Sequence, residues 1–97
     1  MGIRRKEGLT MDPIQRYFIL TDDQFNRLTR QHKSILALII IKGSITPMDA
    51  FSELYITKLA TRISEMKKIG IRFDQIYESR TNSLGHKSHY MRYRKAA

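Results

Sequence analysis

Apolar residues along this chain recur at helical spacing through its first two thirds and at strand spacing after that. The broadest helical face runs through Ile35, Leu38 and Ile39 to Lys42, with Leu36 and Ile40 beside it. Thr29 offers a cap ahead of this face and Gly43 stops it, which predicts a helix from about 30 to 42. The β-branched run also suits a strand, but its polar approach and its glycine end favour the helix. Upstream, Thr21 or Asp22 caps a short helix with Phe25 and Leu28 on one face. Downstream, Thr46 is an N-cap residue, Pro47 stands at the first helical position and Asp49 lies near the positive end of the helix dipole. Ala50, Phe51 and Leu54 then give a short helix its buried face.

A tight connection, Tyr55-Ile56-Thr57, leads to the next helix, from about 57 to 69, with Thr57 as its cap. Leu59, Ala60, Ile63, Met66 and Ile69 form its apolar face, and Gly70 ends it. Lys58, Thr61, Arg62, Glu65 and Lys68 occupy the opposite face. After Gly70 the period shortens. Ile71, Phe73, Ile76 and Tyr77 suit one strand, and His89 to Arg94 alternates aromatic or apolar with basic residues, as a second strand would. Between them, Ser79 to Lys87 reads as a long polar loop.

The first 20 residues carry a weaker pattern. Gly2 and Gly8 flank a charged stretch, which predicts a flexible arm, and Asp12-Pro13 marks a turn or a helix start. Ile14, Tyr17, Phe18 and Leu20 either cover the domain or make a homodimer contact. The division expected is an arm at 1–20, flexible or partner-binding, and one folded domain at 21–97.

Composition narrows the partners. A chain of 97 residues, 41% hydrophobic, suits one small domain with a packed core. Eighteen Lys and Arg against nine Asp and Glu leave a formal charge of +9, which favours a polyanion. Nucleic acid ranks first, an anionic membrane surface second, and plain solubility third. The longest apolar run, Ile35 to Ile41, is far shorter than the ~20 residues of a membrane span. With no signal-type segment after the basic start, the expected location is cytoplasmic, and no membrane partner is expected. The absence of cysteine removes disulfides, thiolate zinc sites and cysteine catalysis. His86 and His89 form a weak metal pattern with no carboxylate or thiolate beside it. His32 reads as a surface or packing histidine. No catalytic residue, metal or cofactor is expected, and the chain is not read as an enzyme.

Helices followed by a hairpin, with two helices joined by a short connection, make a winged helix-turn-helix: mainly α (α+β), a three-helix core with a C-terminal β-hairpin wing. Ser44-Ile45-Thr46-Pro47-Met48-Asp49-Ala50 and the stretch Ile56 to Gly70, with Tyr90-Met91-Arg92-Tyr93-Arg94, resemble the small phage and prophage winged helix-turn-helix domain family. The likeness covers roughly residues 31 to 95, and the wing at Ser79–Lys87 departs from the family's wording. It implies a DNA-binding protein, a transcription regulator of a phage or mobile element.

In that reading Lys58, Thr61, Arg62 and Glu65 face base edges, and Thr57, Lys68, Arg80, His86 and Lys87 hold phosphates of double-stranded DNA. Taken alone, the same helix face reads as an ordinary solvated surface, with Arg62 paired to Glu65 or Glu53, and its placement after the Thr46-Pro47-capped helix is what favours the functional role. Two rival roles stay open. One is an excisionase-like or architectural factor that bends DNA. The other is an interaction module that engages a host protein through Ile14, Tyr17, Phe18, Ile19 and Leu20.

Overall fold

The computed structural model describes residues 11–97. Among these described residues, five helices and a two-stranded antiparallel ribbon follow one another: α1 Pro13–Phe18, α2 Asp22–Asn26, α3 Arg30–Lys42, α4 Pro47–Leu54, α5 Leu59–Ile69, β1 Phe73–Thr81 and β2 Lys87–Lys95.

Local chemistry sets the helix ends. Asp12 caps α1 by accepting from the Ile14 amide at 2.8 Å, with Pro13 in the first turn. Thr21, Thr29 and Thr46 each cap a helix through a reciprocal pair of bonds with the side chain three residues on, namely Gln24, His32 and Asp49. Each pair satisfies two backbone donors that a helix start would otherwise leave open. Gly43 and Gly70 end α3 and α5 at φ 89° and 112°. Tyr55 ends α4 at φ 58°, a left-handed conformation in which a non-glycine residue is uncommon.

The core gathers around α3. Ile35, Leu36, Ile39, Ile45, Ile63 and Met66 are its largest fully buried side chains. Each contributes about 1.5–3 kcal/mol relative to exposure. The ribbon joins this core through a third, minimal strand. Ile45 exchanges two backbone bonds with Tyr93, at 2.8 and 2.9 Å, and both residues are buried.

Three expectations change. First, the folded unit begins before residue 21. Ile14, Phe18 and Leu20 belong to the core, and the Phe18 and Phe73 rings lie 6.3 Å apart. The buried Gln15 amide donates to the Leu20 carbonyl and to Asp22, which ties α1 to α2. Of the apolar residues offered to a partner, only Tyr17 and Ile19 are exposed. Residues 1–10 of the arm expected at 1–20 lie outside the described residues. Second, Thr57 does not cap α5. Lys58 is the cap residue and makes no side-chain capping bond. Burial of Ile56, whose amide donates to the Ala50 carbonyl, sets the path of the connection, and the helix starts two residues later than Thr57.

Third, the wing is a ribbon rather than a long loop. The register runs from Phe73↔Lys95 to Thr81↔Lys87, so Ser79, Arg80, Thr81 and Lys87 are paired strand residues. The tip is only Asn82 to His86. The Asn82 carboxamide oxygen accepts from the amides of Leu84 and His86, at 2.9 and 3.0 Å, and Gly85 supplies φ 83°. These side-chain bonds close the turn tightly, and cross-strand pairing extends up to it.

Candidate nucleic-acid interface

On α5, Leu59, Ile63 and Met66 point into the core. Residues on the far side of a 3.6-residue turn must then face outward. These are Thr61, Ser64 and Lys68, all exposed, with Ala60 and Lys67 on one flank and Arg62 and Glu65, both half-buried, on the other. Ala60, assigned to the buried face on spacing alone, is exposed. The outward stripe is therefore small at its N-terminal half and basic at its C-terminal end. Thr57 and Lys58 stand exposed just before its first turn. No side chain caps that turn, so its first backbone amides lack the side-chain acceptor that the threonine caps give α2, α3 and α4.

Arg62 and Glu65 are engaged within the protein. Arg62 donates through Nη1 to both Glu65 oxygens, at 2.8 and 3.0 Å. Glu65 Oε1 also lies 2.8 Å from Nε2 of His32 on α3. The His32 hydrogen bond, with the Arg62 charge and against some burial, holds the Glu65 carboxyl below its ordinary pKa. His32, expected at the surface or in packing, is buried, with a side chain only 4% exposed. Its role was not legible because its partner lies 33 residues away.

The ribbon's two faces present different groups. Gln75, Tyr77, Ser79 and Thr81 share a face with their partners Tyr93, Met91, His89 and Lys87. Tyr77 and His89 stack on it with ring centroids 5.4 Å apart. Lys67 of α5 bonds to Gln75, so this face adjoins the end of α5 and leads out to Lys87. The other face carries Arg80, Arg92 and Arg94. Arg92 is locked in place, donating from Nε to Glu78 at 2.9 Å and from Nη1 to Ser44 at 2.8 Å. Arg94 pairs with Asp74 at 3.7 Å. Arg80 lines a groove of about 470 Å³ with Lys42, Pro47, Tyr90 and Arg92, which no α5 residue borders.

Lys58, Lys68, Arg80 and Lys87 have no acidic partner among the described residues. The structure thus brings Thr61 and Lys68 together on the outer side of α5, with Thr57 and Lys58 just before its first turn and Lys87 on the adjoining wing face. It sets Arg80 apart on the α4 side and puts His86 at the exposed tip. Ser64 and Lys67 escaped the sequence reading, although their spacing from Thr61 and Ala60 places them on the outer face.

A winged helix-turn-helix domain family matches residues 30–94, two thirds of the chain. The chain belongs to this family. The winged helix-turn-helix spans α3, α4, α5 and the ribbon, and α1 and α2 lie outside the matched residues. Neither the curated proteins nor the solved structures compared with the chain include a match. Among the described residues, no helix is long and apolar enough to cross a membrane, and no group of three or more His, Asp or Glu could hold a metal ion.

Proposed function

We propose that this winged helix-turn-helix chain binds double-stranded DNA as a sequence-specific transcription regulator, with α5 in the major groove and the ribbon along the adjoining backbone. The observation that carries this reading is the outward stripe of α5. It is small where a helix must approach base edges closely, and it is flanked by lysines free of acidic partners. Thr61, Ser64 and the open edge of Arg62 face the bases. Thr57, Lys58 and the uncapped first turn meet a phosphate, as the open amides of a helix start favour. Lys68, Lys87, His86 and Arg80 take further phosphates. Glu65 acts through Arg62 rather than on a base, since both its oxygens are already occupied. The resemblance of the Ser44–Ala50 and Ile56–Gly70 stretches to phage domains supports a phage or mobile-element setting.

A fluorescence-anisotropy titration with labelled duplex tests the reading. The wild-type chain is expected to bind at low salt, and Lys58→Ala with Arg62→Ala is expected to weaken binding at least tenfold, about 1.4 kcal/mol. Absence of binding, or an unchanged double variant, contradicts it.

One observation favours a second reading, a factor that bends DNA. Leu84, 77% exposed, tops the basic ribbon, and apolar wedges at such sites part base steps and kink the duplex. Bound duplex labelled at both ends would then show its ends drawn together, and Leu84→Ser would restore their separation without unfolding the chain.

A further inference from the structure

We infer that His32, buried on α3, is a positioning residue for sequence readout: through Glu65 it sets the orientation of the Arg62 guanidinium on α5. This inference rests on the DNA-binding reading above.

The two ring nitrogens of His32 do different work. Nδ1 accepts from the Thr29 amide at 3.1 Å, so it carries no hydrogen. Nε2 therefore carries the hydrogen and donates it to Glu65 Oε1 at 2.8 Å. The ring is held at one end by the cap of α3 and is shut from solvent, so the Glu65 carboxylate meets a fixed donor. That carboxylate in turn accepts from Nη1 of Arg62 at both oxygens.

Arg62 spends only this one nitrogen. Its Nε and Nη2 have no partner among the described residues, and they form one edge of the guanidinium with parallel N–H groups. Guanine O6 and N7 accept such an edge in the major groove. A free arginine would have to be ordered at the moment of binding, whereas this one is ordered when the chain folds. Apolar packing already joins α3 and α5 in the cluster of Ile35, Leu36, Ile39, Ile63 and Met66, so cohesion of the two helices does not depend on the polar chain.

Two substitutions separate the two nitrogens. In His32→Asn the carboxamide oxygen replaces the Nδ1 acceptor for Thr29, but the side chain stops short of Glu65. In His32→Gln the amide nitrogen replaces the Nε2 donor to Glu65. The experiment is selection of bound duplexes from a randomised pool by the full chain, with circular dichroism to report the fold. Arg62→Lys and His32→Asn are expected to lose roughly tenfold discrimination at the same base pair. His32→Gln retains most of it, and the salt dependence of His32→Asn binding matches wild type because its phosphate contacts are intact. Should His32→Asn fail to fold, Glu65→Gln supplies the same readout while leaving the α3 cap in place.

Wild-type base preferences in His32→Asn overturn the inference. So does a loss spread evenly over all sequences, which a purely structural role would cause. Duplex binding without any preference that Arg62→Lys alters overturns the inference and leaves the DNA-binding reading standing. Failure of the wild-type chain to retain any duplex overturns both.

Discussion

At Gly70 the chain turns out of α5 with φ 112°, and an added Cβ would sit 2.6 Å from Nε2 of Gln24. That nitrogen donates to the Ile69 carbonyl at 3.3 Å, closing the end of α5 against α2. Gly70→Ala is therefore expected to cost about 1–3 kcal/mol, most of it backbone strain, read as a lower midpoint in urea. The glycine stop was legible in the sequence because it is a local signal. The Gln24 contact was not, because it joins residues 45 apart. The same limit governs His32 and Glu65. Their residue types were plain, and only the packing of α3 on α5 brought them together. Thr57 shows the converse. Its type favoured a cap, but the buried Ile56 next to it decided the chain path.

Among the elements, α3, α4 and the end of α5 emerge where their caps and spacing place them, since threonine caps and glycine stops act within a few residues. The wing was less legible. Its length depends on cross-strand pairing and on Asn82 bonding to two amides, neither of which has a periodic signature. Carboxylates join these elements. Glu78 is held low chiefly by its hydrogen bond to Arg92, which also reaches Ser44. At Asp49 burial pulls upward, but the bonds from Lys42 and Thr46 outweigh it. With Glu65, all three carboxyls lie below their ordinary pKa values in the folded chain. Such groups add stability above the ordinary carboxylate range, and that stability is lost as pH falls through their folded values. The urea midpoint should stay level above about pH 5 and drop below it. Asp49→Asn with Glu78→Gln should lower the midpoint at neutral pH and make the acid decline shallower. A decline as steep as wild type would show that other groups govern it.

For the molecule as a whole, composition gives an excess of nine positive charges, and the fold decides which of the described cations are paired. Among the described residues Lys42, Arg92 and Arg94 pair with carboxylates, Arg62 engages Glu65 through one nitrogen, and Lys58, Lys68, Arg80 and Lys87 beside or on α5 and the wing have no acidic partner. The measurement that tests the central claim most directly is the salt dependence of affinity for duplex DNA. If Lys58, Lys68, Arg80 and Lys87 each neutralise a phosphate, log affinity should fall against log salt with a slope of about −3 to −4. Lys58→Ala with Lys87→Ala should make that slope shallower by about 2. A flat dependence, or a slope unmoved by the double substitution, would contradict the assignment of α5 and the wing as the DNA-binding surface.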